Sequence, residues 1–250
     1  MEGFNVLMYH EIIKKEDFDY GKYEGIKVKQ DYKDKLPPVL FAYLEDFEKQ
    51  MKYLFEEGYV TLTLDDVRDY YYNDKSLPEK SILLTFDDLF KSVLHYAYPI
   101  LKEYGFHAVG FVVQDWIFEE EESNSAIESV CLSKKELGQM RDVFEYANHT
   151  RALHTRNEGQ GVIESTEKNV FLEDIKACEQ FVNTKHVFAY PFGIYTENNI
   201  EWLKEGGFLL AFTSIEGTNT KSTNPYELRR NGVLLGYDME KFKSVVHTNF

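Results

Sequence analysis

Three short stretches carry residues able to do chemistry. "SILLTF" (81–86) runs into Asp87-Asp88, "NVLMY" (5–9) runs into His10, and "NHTRALH" (148–154) holds His149 and His154. A catalytic zinc ion takes three protein ligands from His and Asp/Glu and leaves a fourth position for water. The histidine pair and one aspartate supply such a set, which frees the other aspartate to act as a base on an activated water. The spacing of the pair constrains this reading. On one strand, residues five apart face opposite ways and lie about 16 Å apart; on one helix they diverge by about 140°. The pair can meet only if His149 ends a strand and the chain turns so that His154 swings back, a turn within which Thr150 can hydrogen-bond.

The elements that must position these residues show as alternation. Strand-like apolar runs cover 5–10, 60–64, 81–86, 108–113, 143–148, 186–191, 209–214 and 232–235. Helical periodicity fills most of the gaps. Leu44, Phe47, Met51 and Leu54 recur at three- and four-residue steps, and "KSVLHYAYPILKEYG" ends on a glycine suited to a C-cap. Further helical segments are "KKELGQMRD", "EKNVFLEDIKACEQFV" and "TENNIEWLKEGG". About eight β units joined by helices predict an α/β fold with a parallel sheet, and so many in one chain favour a distorted (β/α) barrel of seven or eight strands over an open doubly wound sheet. The whole chain, 1–250, reads as one catalytic domain with an irregular excursion over 13–38. "FEEEESNSAIES" (118–129) reads as a solvated acidic loop.

In a (β/α) barrel the site forms at the C-terminal ends of the strands. His10, Asp87-Asp88, His149 and the turn "YPFG" (190–193) all follow apolar runs, so four strand ends converge on one rim. Plainer readings stand beside this one. Asp88 could cap a helix, His10 could be a packed histidine, and YPFG alone is a turn signal.

The formal net charge of −15 excludes a phosphate-backbone footprint and argues against docking on an anionic membrane. A neutral or cationic partner fits better. No apolar run reaches the length of a membrane span. The opening "MEGFNVLMYHEI" lacks a signal peptide's pattern, so the chain reads as cytoplasmic as written, or as an extracytoplasmic or cell-surface piece whose export or anchor segment is left out. Cys131 and Cys178 make no disulfide framework and read as buried free thiols, with a single bridge left open.

Taken in order, the motifs resemble the polysaccharide deacetylases with a NodB-homology domain, carbohydrate esterase family 4. "LLTFDD" (83–88) is similar to the family's first motif, "NHTRALH" to its metal-binding motif and "YPFG" to its third. "VLMYHEI" and "LFAYLEDFEKQMKYLFEEGYVTLTLDD" resemble its opening units. The resemblance runs from about residue 5 to 245. It implies that Asp88, His149 and His154 bind a divalent metal (Zn²⁺, with Co²⁺ or Ni²⁺ as substitutes), that Asp87 is the general base, and that the Phe192 N–H helps hold the oxyanion. The fivefold histidine spacing resembles the branch acting on poly-β-1,6-N-acetylglucosamine, in which the general acid comes from the N-terminal strand; His10 matches it.

Three departures stand out. Leu89 follows the aspartates where the family usually has glycine. Ala189 and Tyr190 occupy the place of an arginine near the third motif, while Arg230 in "ELRRNGV" resembles an arginine that orients or tunes the base in related members. The leucine-rich histidine motif is absent, and His247 is the only histidine near the C-terminus. The implied activity is removal of acetyl groups from N-acetylglucosamine units of a bacterial cell-surface or biofilm glycan, with release of acetate. Trp116, Tyr190 and Tyr195 are candidate sugar contacts near the rim. The alternatives are a glycan binder without turnover and a glycosidase using Asp87 and Asp88, which leaves the histidines without a role.

Overall fold

The computed structural model describes residues 3–19 and 21–247. Its centre is a nine-stranded sheet formed by β1 (Gly3–Tyr9), β2 (Val60–Thr61), β3 (Ser81–Asp87), β4 (Ala108–Val112), β5 (Phe144–Asn148), β6 (Val187–Ala189), β7 (Leu210–Phe212), β8 (Asn219–Thr220) and β9 (Asn231–Gly232). The order along the curl is β7-β6-β5-β4-β3-β1-β8, with β2 also on β3 and β9 also on β1. Every pairing is parallel except that of β8, which runs antiparallel to the start of β1. All eight strands expected from the apolar runs are present, as a curled, parallel-dominated sheet. The stretch after β8 bridges its two ends. Leu228 N–H donates to Ala211 O at 2.9 Å, and further on Val233 N–H donates to Met8 O at 2.9 Å.

Strand periodicity decides which residues face the middle of the curl. Phe4, Val6, Leu83, Val109, Phe111, Ala147, Ala189 and Phe212 form one buried cluster across the strands. Their alternates Leu7, Leu84, Phe86 and Phe144 join a second cluster with Phe47, Met51 and Leu54 of α1 (Leu44–Glu56) and Leu101 of α3 (Tyr98–Tyr104). Side chains alternate with period two. His10 therefore continues the inner parity of Val6, Asp87 that of Leu83, and His149 that of Ala147.

Two helices go beyond the expected set. Residues 60–64 were expected to be a strand, but it stops at Thr61, because Thr63 forms a capping box with Asp66 and starts α2 (Leu64–Tyr72). The last helix, α7 (Met239–Val246), was also not expected; it buries Phe242 and Val246. The other helices are α4 (Lys134–Gln139), α5 (Lys168–Phe181) and α6 (Glu197–Glu205). Gly105 ends α3 in the left-handed region at φ 66°, the C-cap conformation its position predicted.

The 13–38 excursion is more ordered than its composition suggested. Residues 11–13 pair in parallel with 41–43, and 25–27 pair in parallel with 128–130. The acidic loop is correspondingly not a purely solvated surface: Glu122 and Glu119 each hold a lysine of the excursion, Lys27 and Lys29, at 2.6 Å. No helix among the described residues is long and apolar enough to cross a membrane. Cys131 and Cys178 are buried free thiols.

Candidate metal centre and catalytic pocket

Asp87 is the last residue of β3, and the chain turns abruptly after it. Asp88 and Leu89 both adopt left-handed backbone, at φ 66° and 59°. Such angles are unfavourable for residues with a Cβ, which accounts for glycine being common at the second position in the family. Here Leu89 holds the turn by packing. It is fully buried, and its methyls lie against Gly110, where an added Cβ would sit 2.9 Å from both of them. Asp88 caps no helix; its N–H donates to Phe111 O at 3.1 Å, so its carboxylate is directed by the turn.

The bend that brings the histidines together is built by side chains around it. Asn148 Oδ1 accepts from Thr150 N–H at 2.9 Å, while Asp174 of α5 accepts from Arg151 N–H at 2.7 Å and Ala152 N–H at 2.9 Å. Thr150 itself is left-handed at φ 77°. The expected hydrogen bond within the turn is made by its backbone, whereas its buried hydroxyl has no partner. The outcome is two imidazoles with ring centres 4.6 Å apart.

His149 Nδ1 lies 2.8 Å from Ala189 O. A carbonyl only accepts, so Nδ1 carries the proton and Nε2 presents its lone pair to the pocket. That Nε2 is 3.9 Å from Asp88 Oδ1, and His154 Nε2 is 3.5 Å from the same oxygen. Donors about 2.0–2.2 Å from a shared tetrahedral centre stand roughly 3.4 Å apart, so the spacing fits a zinc-sized ion. Two further observations agree. Asp88 Oδ1, the oxygen facing both imidazoles, is buried with no hydrogen-bond partner. Asp88, His149 and His154 are also the one His/Cys/Asp/Glu group among the described residues with ligand atoms spaced for a metal.

The protonation preferences suit this use. Burial pushes both histidines below their ordinary range, keeping them neutral and able to ligate. Burial and the adjacent Asp87 charge push Asp88 well above the usual carboxylate range. A cation beside it would favour the ionised form.

Asp87 meets the opposite environment. Burial alone would raise it, but Arg230, His149 and His10 outweigh that and hold it well below the usual range. Arg230 is itself buried and grips both carboxylate oxygens, at 2.6 and 2.8 Å, while its Nε donates to Thr213 O. His10 Nε2 stands 3.9 Å from Asp87 Oδ2. Burial lowers the His10 imidazole to about 4 despite the pull of Asp87, so it rests neutral at neutral pH.

The YPFG turn closes the far side. Phe192 is left-handed at φ 59°, and its ring packs 4.3 Å from that of His154. Gly193 is required next, because at φ 69° a Cβ would fall 1.9 Å from Ser214 Oγ. The N–H groups of Gly193 and Ile194 are committed to Tyr190 O and Pro191 O, which leaves the Phe192 N–H as the turn's candidate donor.

His10, Asp87, Asp88, His149, His154, Phe192 and Arg230 all line one cavity of about 300 Å³. Trp116 lines it too, edge-on to His154 at 4.6 Å, with its buried Nε1 unpartnered. Tyr190 and Tyr195 do not line it, contrary to their reading as sugar contacts. Tyr190 is fully buried and stacks on Tyr195 at 4.4 Å, each hydroxyl bonding to the 226–227 segment, so the pair braces the turn from behind. His247 lies elsewhere, against Tyr53.

Part of the pocket wall was not anticipated. The excursion contributes Ile26 and the run from Asp34 to Pro37. Arg156 fastens it: the guanidinium reaches Asp34 through Nε at 2.9 Å and lies 4.8 Å over the Phe192 ring. Tyr32 donates to Asp34 at 2.6 Å and stacks on Trp116. Asn148 had a local signal, since an Asx side chain often bonds the backbone two residues on. Asp34, Arg156 and Asp174 had none, because their partners are distant in sequence.

Comparison with known proteins places the chain in a family. The family model for polysaccharide deacetylase matches residues 74–211. Poly-beta-1,6-N-acetyl-D-glucosamine N-deacetylase of Staphylococcus aureus strain N315 is 28% identical over 193 residues, covering 74% of this chain and 64% of the relative. Its counterpart in Staphylococcus epidermidis is 27% identical over 194 residues, covering 74% and 65%. The chain thus spans slightly less than two thirds of these curated relatives' length. Among solved structures, the Streptococcus pyogenes deacetylase PplD in complex with acetate superposes with a TM-score of 0.76 at 22% identity, covering 98% of both chains. IcaB from Ammonifex degensii does so at 0.75 and 24%, covering 99% of this chain and 97% of the other. With the family model matching more than half of its residues, the chain belongs to the polysaccharide deacetylase family.

Proposed function

We propose that this protein is a metal-dependent N-deacetylase that hydrolyses the acetamide of N-acetylglucosamine units in a bacterial glycan, releasing acetate and leaving an amine on the sugar. The observation that carries the reading is the buried Asp88–His149–His154 group beside a carboxylate that Arg230 keeps ionised. Relatives named as poly-beta-1,6-N-acetyl-D-glucosamine N-deacetylases support that polymer as the substrate class.

A divalent metal held by Asp88, His149 and His154, Zn²⁺ before Co²⁺ or Ni²⁺, would supply Lewis acidity toward a water and the acetyl carbonyl. The chain's own groups account for the rest. Asp87 stands to take the proton of the attacking water, oriented by the two-point grip of Arg230. The Phe192 N–H is placed to meet the carbonyl oxygen as it gains negative charge, a contact whose loss costs other enzymes about 3–4 kcal/mol. The nitrogen must leave as an amine, so it needs a proton as the C–N bond breaks. His10 rests neutral and can deliver that proton only after receiving it, and Asp87, 3.9 Å away, is the group positioned to pass it on. Trp116 lines the pocket with its ring and can pack against the sugar. With a bacterial cell-surface or biofilm glycan as the substrate, the reading places the enzyme outside the cytoplasm.

The test is product analysis on β-1,6-linked N-acetylglucosamine oligomers and chitooligosaccharides. Acetate release without new reducing ends is expected. Reducing ends without acetate would establish a glycosidase, and binding with neither product would leave a glycan binder.

A further inference from the structure

His10 and Glu11 are neighbours in an extended segment, so their side chains point to opposite sides. His10 lines the catalytic pocket, and Glu11 lines a second cavity of about 420 Å³ on the other side of the same wall. That volume lies in the range small-ligand sites occupy. The cavity has no part in the reaction described above.

Its character is acidic. Glu11, Asp17 and Glu128 line it, and none of the three has an ion-pair partner among the described residues. The lysine that lines it, Lys91, is already neutralised: its ammonium is in contact with the buried Glu136 carboxylate, whose other oxygen takes the N–H and hydroxyl of Ser133. His95, at the exposed rim, is the remaining basic group.

Glu11 makes this more than a cluster of acids. The residue is only 8% exposed; the Ser129 and Ser92 hydroxyls bond its carboxyl group, yet its Oε2 is buried without a hydrogen-bond partner. A buried polar atom left unpaired is costly, and more so when charged. The carboxylates are too dispersed to share one metal ion, since Asp88, His149 and His154 form the only group so spaced among the described residues. Dispersed acids around one desolvated carboxylate suit an ammonium carried on a larger polar body. Tyr96 and Asn124, also in the lining, offer a flat face and an amide to such a body.

We propose that this cavity is a second glycan subsite, which binds the protonated amine of a glucosamine residue through Glu11, with Asp17 and Glu128 adding attraction at the mouth. The choice of ligand rests on the deacetylase reading, because the reaction produces that amine on the same polymer. The site would favour chains already deacetylated in part. Burial pushes the Glu11 carboxyl up to about 7, a penalty that an incoming ammonium relieves.

Calorimetric titration with a β-1,6-linked glucosamine trimer, and separately with its fully acetylated counterpart, tests this. Glu11→Gln should weaken the glucosamine trimer about tenfold or more, the order expected for losing a charge-assisted contact. The exposed-side double variant Asp17→Asn/Glu128→Gln, which spares the buried position, should weaken it severalfold. Affinity for the acetylated trimer should hold in both. Unchanged glucosamine affinity in both variants overturns the proposal, as does an equal loss for both trimers. If the wild-type chain binds the amine in this Glu11-dependent way but releases no acetate from any acetylated oligomer, the deacetylase reading fails and the ammonium site stands.

Discussion

At the scale of single residues, two adjacent aspartates have opposite electrostatic fates. Asp87 is clamped by a guanidinium and held ionised; Asp88 faces two neutral imidazoles and resists ionisation unless a cation arrives. That division assigns one carboxylate to proton transfer and the other to ligation. Replacing Asp87 with Asn keeps the shape and removes the base. Acetate release should fall by about 10²–10⁴-fold, the usual contribution of a positioned base, with metal content unchanged by elemental analysis. Full activity in that variant would show that the base lies elsewhere. The residues with chemistry in them could be read directly: His10, Asp87, Asp88 and His149 each follow an apolar run, His154 lies five positions past His149, and strand parity puts the first residue past β1, the last of β3 and the first past β5 on the inner face. Arg230 could be read only by resemblance, since its partner lies 143 residues away in sequence.

At the scale of elements, the site depends on three sharp turns whose backbone no local propensity requires. Asp88–Leu89, Thr150 and Phe192 are left-handed without being glycine, and each turn draws on a contact from elsewhere in the chain: Leu89 packs on Gly110, the bend at Thr150 combines the local Asn148 bond with the distant Asp174 contacts, and Phe192 precedes the close Gly193–Ser214 approach. This is why the strands could be read from sequence but the loop geometry could not. Asp174 gives the clearest test. Its carboxylate, pushed up to about 6 by burial and drawn back by two N–H donors, pins the backbone between the histidines to α5. Asp174→Ala should leave the fold intact by circular dichroism while lowering metal affinity about 10–100-fold, as loss of a supporting partner does at other metal sites. Competition against a fluorescent chelator measures it, and unchanged affinity would mean the loop holds its bend unaided. The excursion is also an element of the site. Arg156→Ala should free it from Asp34 and raise KM for oligomers severalfold more than it lowers kcat, because the lost contacts hold the pocket wall and touch no reacting atom.

At the scale of the whole molecule, function is in tension with stability. Glu11 is buried with a carboxyl at about 7 against an ordinary 4.5, so the folded state prefers it protonated. Its contribution is fully present below about pH 4.5 and is lost as pH rises through 7. The size is about 3 kcal/mol by linkage. Urea unfolding of the wild type and Glu11→Gln should therefore show the variant gaining on the wild type by about that amount between pH 4.5 and 8; a constant difference would mean that Glu11 is ionised throughout. The net charge of −15 fits a product that becomes cationic, and electrostatic attraction of that kind should weaken with salt.

The central claim is that Asp88, His149 and His154 hold a metal on which acetate release depends. Metal stoichiometry and acetate release from a β-1,6-linked N-acetylglucosamine oligomer should be measured together on the wild type, on chelated and Zn²⁺-restored protein, and on Asp88→Ala. One equivalent of metal with activity, loss of both on chelation, recovery of both with Zn²⁺, and neither in Asp88→Ala are expected. Acetate release that persists after the metal has been removed would contradict the claim.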